Sequence, residues 1–145
     1  MLRLESEFKF YVRLGTSDKF VLASRIGGKH IIGKYDFFQA VNLGGGDNLR
    51  GYANERFAGR TSFYHNIDVR IKIIDSENQT IPISGGITPG FDYGRVWIDE
   101  ETSDKMHYGY GGSLWLAPLD YIALSAGMFF SEEAPRFTVR AGFQF

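Results

Sequence analysis

The sequence has no cysteine, 4 prolines, 3 histidines and no long apolar run. Without cysteine there is neither a disulfide framework nor a thiolate metal site. His30, His65 and His107 fall on separate elements without metal-ligand spacing, and read as ordinary strand or loop residues. No stretch approaches the ~20 apolar residues of a membrane helix. The longest candidate, 121–130, is interrupted by Ser125 and Gly127. An apolar leader is also missing, because Glu5, Glu7 and Lys9 break its place. Any export signal has therefore been removed or lies upstream, and the text reads as a piece of a longer protein.

An excess of one charge is missing too. Lys and Arg number 16 against 17 Asp and Glu, which leaves no basic surface for nucleic acid and no like-charged tail. No serine, cysteine or lysine has the surroundings of a nucleophile. Asp99-Glu100-Glu101 and Glu132-Glu133 lie in polar turns and are not arranged as facing catalytic carboxylates. The glycine run at 44–46 lacks the preceding strand and following helix of a phosphate loop. Neither enzymatic activity nor a cofactor is expected.

What is abundant is glycine, at 18 residues, and aromatic side chains, at 13 Phe, 8 Tyr and 2 Trp. Glycine suits turns and close backbone approach, and aromatics favour strands and membrane interfaces. The patterning is period two. Phe137, Val139, Ala141, Phe143 and Phe145 share one face, opposite Arg136, Thr138, Arg140, Gly142 and Gln144. The same alternation runs through 3–14, 63–73, 83–94, 107–116 and 121–130, with a further strand over 20–28. About seven strands result, connected by hairpins and hence antiparallel. Short turns at 15–18, 76–80 and 117–120 alternate with longer connections at 33–59, 99–105 and 131–135. The first of these, rich in Gly and Asn, is out of scale, and long loops inside β-proteins are usually functional.

One face of several strands carries the charges: Arg3, Glu5, Lys9 and Arg13; Asp68, Arg70 and Lys72; Arg136 and Arg140. The opposite face is aliphatic or aromatic. A soluble ligand-binding barrel places apolar faces inside, and a membrane barrel places them toward lipid. Alternation alone admits both. Strand length suits a tilted membrane crossing, and the short-turn, long-loop asymmetry is that of outer-membrane barrels. The fold expected is a single domain over 1–145: an antiparallel up-and-down transmembrane β-barrel segment of about seven or eight strands. It is either half of a larger barrel or a small closed one.

Four features sharpen this reading. Leu43-Gly44-Gly45-Gly46-Asp47-Asn48-Leu49-Arg50-Gly51-Tyr52 resembles the Gly-Gly…(Leu/Val)-Arg-Gly-(Phe/Tyr) motif of the BamA-like superfamily, the bacterial surface-antigen family. Phe91-Asp92-Tyr93-Gly94-Arg95-Val96-Trp97 resembles that family's Phe-Asp-x-Gly-x-Val-Trp strand. Asn66-Ile67-Asp68-Val69-Arg70 resembles its Asn-x-Glu-x-Arg strand, with Asp68 where Glu is usual. The text closes on Phe145, as such barrels commonly do. The resemblance covers roughly residues 20–145.

The resemblance implies a bacterial outer-membrane protein that assembles, translocates or anchors polypeptides. Its expected surroundings are the lipid bilayer with lipopolysaccharide, client polypeptides and the outer-membrane assembly machinery. It also implies that 33–59 folds back into the barrel lumen, where Arg50, flanked by Gly51 and Tyr52, pairs with Asp68 and Asp92. In the family the last strand, here 136–145 with Phe137, Val139, Gly142, Phe143 and Phe145, serves as a weakly paired seam and assembly signal. Gly142 stands where relatives often kink that strand. The chain supplies about half the strands of a family barrel, so its open edges favour self-association. Two rivals remain: a soluble small-ligand barrel, and a passive membrane anchor or pore.

Overall fold

The computed structural model describes residues 1–76, 80–101, 104–119 and 122–143, with Phe143 described by its backbone alone. Its strands are β1 (Leu2–Arg13), β2 (Phe20–Ile32), β3 (Val41–Leu43), β4 (Phe57–Gly59), β5 (Thr61–Ser76), β6 (Ile83–Trp97), β7 (His107–Pro118), β8 (Ile122–Phe130) and β9 (Arg136–Phe143). Seven of them form one antiparallel sheet in the order β1-β2-β5-β6-β7-β8-β9, each joined to the next along the chain. β3 and β4 make a separate short ladder inside the long connection between β2 and β5. The molecule is an all-β barrel segment of up-and-down topology.

The alternation places the polar and apolar residues on opposite sides of this sheet. On the outer side Phe8, Leu114, Phe137 and Val139 are all about two-thirds or more exposed, at 71%, 67%, 68% and 71%. On the inner side lie Glu7, Lys9, Arg25, Asn66, Asp68, Asp92, Ser113 and Arg140, as the cross-strand registers require. Among the described strands of the main sheet, Arg95 is the one Lys, Arg, Asp or Glu on the outer side. It sits near the end of β6, 2.8 Å from Asp104 and over the Trp97 ring.

The sheet curls. One cavity of about 380 Å³ is lined by Tyr11 of β1, Ala23 of β2, Asp68 of β5, Thr88 of β6, Trp115 of β7, Ser125 of β8 and Arg140 of β9. Both edge strands thus face the same interior without pairing to each other among the described residues. A curled sheet with polar side chains inside and apolar ones outside reverses the polarity of a soluble ligand-binding barrel.

Three details depart from the alternation. β7 runs on through Pro118, paired with Ile83, so the turn begins later than residue 117. The register shifts between Lys72 and Ile74, which puts Ile74 rather than Ile73 in the ladder opposite Gly85. An extra residue in one strand is how such a bulge arises, and the run Ile71-Lys72-Ile73-Ile74 is apolar at both parities, so its pattern cannot reveal it. The last strand is seen to Phe143; Phe145 lies outside the described residues, as do Asp120 and Tyr121.

Candidate functional site

The connection between β2 and β5 supplies Ala40, Val41, Leu43, Leu49 and Tyr52 to the buried interior, beside Ile31 at the end of β2. Ile31, Val41, Leu43 and Leu49 are fully buried, and Leu43, Leu49, Tyr52 and Tyr64 form one cluster with Phe57 and Val96 against it. The segment therefore folds onto the inner side of the sheet as a packed element and not as a mobile surface loop. Its base is held by Arg60. That guanidinium donates to the carbonyls of Ile31 and Gly33 at 3.1 and 3.0 Å, to Asp99 Oδ1 at 2.6 Å, and lies over the Tyr35 ring. The Arg60 partner holds Asp99 below its ordinary carboxylate range.

The turn that presents the Arg-Gly-Tyr segment depends on backbone freedom. Gly44 and Gly45 take φ of 124° and 99°, a region that side chains other than glycine rarely adopt. Asn48 Oδ1 accepts the Gly44 amide at 2.7 Å, and the Gly45 amide donates to the Leu49 carbonyl at 3.0 Å. This compact turn aims Arg50 at the sheet.

Arg50 makes a five-bond contact with two carboxylates on neighbouring strands. Its Nη1 and Nη2 donate to Asp68 Oδ2 and Oδ1 at 3.1 and 2.6 Å. Its Nε and Nη2 donate to Asp92 Oδ2 and Oδ1 at 2.8 and 2.5 Å, and its backbone amide adds a bond to Asp92 Oδ2 at 3.0 Å. Asp92 is fully buried and the Arg50 side chain is 11% exposed. The Phe129 ring lies under the guanidinium, 4.2 Å from its carbon. Burial alone would lower the Arg50 pKa, but bonding to Asp92 and Asp68 outweighs it and raises the value above that of free arginine. Such a planar fork gives each of the two carboxylates a pair of bonds, a geometry an ammonium cannot reproduce.

Close approach of the loop requires bare backbone on the sheet. A Cβ on Gly90 would come 2.8 Å from Arg50 Nη2 and press on the Asp68 carboxylate. A Cβ on Gly94 would come 3.0 Å from the Leu43 side chain, and one on Gly51 would come 2.8 Å from the Phe130 carbonyl. Gly51 is further fixed by Ser131, whose hydroxyl donates to its carbonyl at 2.7 Å. Tyr52 is buried edge-on to Phe57 and His107, whose rings stack with centroids 3.7 Å apart.

Arg50, Gly51, Tyr52, Asp68 and Asp92 thus come together at one place. Of the residues singled out on the last strand, Phe137, Val139 and Gly142 do not join them, and Phe145 lies outside the described residues. Phe137 and Val139 point outward at the edge of the sheet, opposite Met128 and Ala126. Gly142 has nothing within 4 Å of where a Cβ would stand, so no crowding requires it. Sequence reasoning missed Arg25 and Phe129, and quoted Asn66 in a motif without giving it a contact. Asn66 donates to the Asn48 carbonyl at 2.6 Å and accepts from Arg25 at 2.8 Å, and Arg25 also reaches the Asp47 carbonyl. The polar parity of Asn66 beside Asp68 was a usable signal for its role, and nothing in the sequence marked Phe129 as the ring beneath a cation.

Among the described residues no group of His, Asp and Glu is placed to hold a metal ion. The chemistry of the Arg50–Asp68–Asp92 arrangement is that of a latch.

Compared with known proteins, residues 1–145 match the family model described as the Omp85 superfamily domain. No curated protein and no solved structure matches.

Proposed function

The chain belongs to the Omp85 superfamily of bacterial outer-membrane proteins, and we propose that it is a membrane-embedded barrel segment serving polypeptide assembly or translocation, with its long loop latched inside the lumen by Arg50. The observation that carries this reading is the inverted polarity of the curled sheet. Its outer side presents Phe8, Leu114, Phe137 and Val139, and its inner side holds the paired charges and the loop. In water so large an apolar surface would drive association; in a bilayer it is the lipid contact. The strand ends facing loops 33–60, 98–106 and 131–135 form the external side, and the short turns form the periplasmic one.

The unpaired edges of β1 and β9 are the places for strand addition, by a client, by neighbouring strands of a larger barrel or by a second copy. Lipopolysaccharide would meet the outer aromatic surface where Phe91, Tyr93 and Tyr108 adjoin. Catalysis has no part in this function.

The test has two arms. Refolded with detergent micelles, the chain gains β-structure and heat-modifiable migration on semi-native gels; a monodisperse folded protein in plain buffer would instead favour a soluble barrel. In proteoliposomes, it speeds folding of an unfolded outer-membrane barrel above the rate in empty vesicles. Equal rates would reduce the role to an anchor.

A further inference from the structure

Every carboxylate on the inner side of the main sheet already has a cation. Glu5 pairs with Lys29, Glu7 with Lys9, Asp75 with Lys72, and Asp68 and Asp92 with Arg50. The guanidinium groups of Arg70 and Arg140 have no carboxylate partner among the described residues, yet both line the interior cavity of about 380 Å³. Arg70 lies over the Trp115 ring, 5.0 Å from its centroid. Trp115 is 5% exposed, and its buried Nε1–H has no acceptor among the described residues. Hydroxyls of Thr88, Ser113, Ser125 and Thr138 line the same space. The groups left over are therefore donors: two guanidinium forks and an indole N–H, with hydroxyls beside them.

We infer that this cavity is a binding site for a small oxyanion, of the phosphate or carboxylate class. An oxyanion supplies the acceptor oxygens that Arg70, Arg140 and the Trp115 indole lack, and planar guanidinium forks match its geometry. A buried donor without an acceptor is costly, so occupancy relieves a penalty as well as adding charge-assisted bonds. Asp68 also lines the cavity and shares the one Arg50 with Asp92; the two guanidiniums of Arg70 and Arg140 outnumber the single negative charge that this leaves. The volume suits a small molecule. The site lies beside the latch and uses none of its bonds, so anion binding adds to the assembly role without being required by it.

The test uses the whole chain folded in detergent, with heat-modifiable migration confirming the fold of every variant. Since the chain has 2 tryptophans, Trp97→Phe leaves Trp115 as the sole indole reporter. Titration with inorganic pyrophosphate, and separately with glutarate, is followed by Trp115 emission and by calorimetry on the unaltered chain. A saturable response to either, weakened about tenfold or more in Arg70→Gln/Arg140→Gln and retained in Arg136→Gln, is the expected result. Preference between the two anions assigns phosphate or carboxylate chemistry. Responses reproduced by sodium chloride at equal ionic strength, or unchanged in the double variant, would overturn the site. A folded chain without saturable binding overturns it too, while leaving the barrel reading standing.

Discussion

Arg50 concentrates more of this molecule's specificity than any other side chain. It joins the loop to two strands at once, and removing it leaves a fully buried Asp92 without its cation. Loss of one partner from such a pair costs about 3–5 kcal/mol, less where water reaches it. Arg50→Ala is expected to lower the urea midpoint of the folded band and expose 33–59 to trypsin. Arg50→Lys recovers only part, since an ammonium cannot make the paired bonds to each carboxylate that the guanidinium makes. Arg95→Ala is the contrast. Its partner Asp104 is 92% exposed, and exposed pairs contribute about 0–1 kcal/mol, so protease resistance stays near that of the parent chain. Equal sensitivity of the two variants would remove Arg50 from its role. Gly90 makes a second test at this scale. Gly90→Val forces a branched side chain into the Arg50 guanidinium, and overpacking of this kind costs about 1–3 kcal/mol. The same substitution at Gly142, where space is open, costs less in the same unfolding assay.

The loop, as an element, carries its own apolar core. Leu43 and Leu49 are both fully buried, so truncating either to alanine should weaken docking by about 2–5 kcal/mol. Combined with Arg50→Ala, the losses should fall short of additive, because an undocked loop can lose its contacts only once. Hydrogen exchange of residues 41–59 reads this directly; strict additivity would mean that latch and core act independently. This element was also the hardest to read in advance. Strand faces were legible because period two places Asp68 and Asp92 on the polar side whatever the tertiary structure. The loop's fold was not, because its order comes from long-range contacts: Leu43 against Gly94, Asn48 against Asn66, Gly51 against Phe130. Aperiodic apolar residues give no sign of what covers them. The glycines of β6 and β7 had a visible abundance; the docked loop gives the reason for Gly90, Gly94 and Gly109, whereas Gly85, Gly86, Gly111 and Gly112 stand against neighbouring strands. Phe129 was legible as one of two adjacent aromatics, but its parity alone did not announce a cation above it.

Across the whole molecule, the sheet's two sides differ sharply, and the proposed reading gives the outer one to lipid. A cation on the outer side, as in Leu114→Arg, is expected to cost about 2–4 kcal/mol when the barrel folds into lipid, with the larger value nearer the bilayer midplane. Folding yield into vesicles of graded acyl-chain length reads this loss. The seven-stranded order has a further consequence at this scale. An odd number of antiparallel strands leaves β1 and β9 running in the same direction, so they cannot close the sheet by the antiparallel pairing used everywhere else in it. Antiparallel closure calls for strand partners beyond these two edges, so edge-to-edge association of isolated chains is expected and should rise with protein-to-detergent ratio.

The two tryptophans stand on opposite sides of the sheet, Trp97 outward and 40% exposed, Trp115 inward and 5% exposed. Single-tryptophan variants reconstituted in vesicles containing bromine-labelled acyl chains therefore test the central assignment most directly. Bromine quenches an indole only at short range, so Trp97 emission should be strongly quenched and Trp115 emission nearly untouched. Equal quenching of both, or quenching of Trp115 alone, would contradict a barrel whose charged, loop-filled side is its lumen.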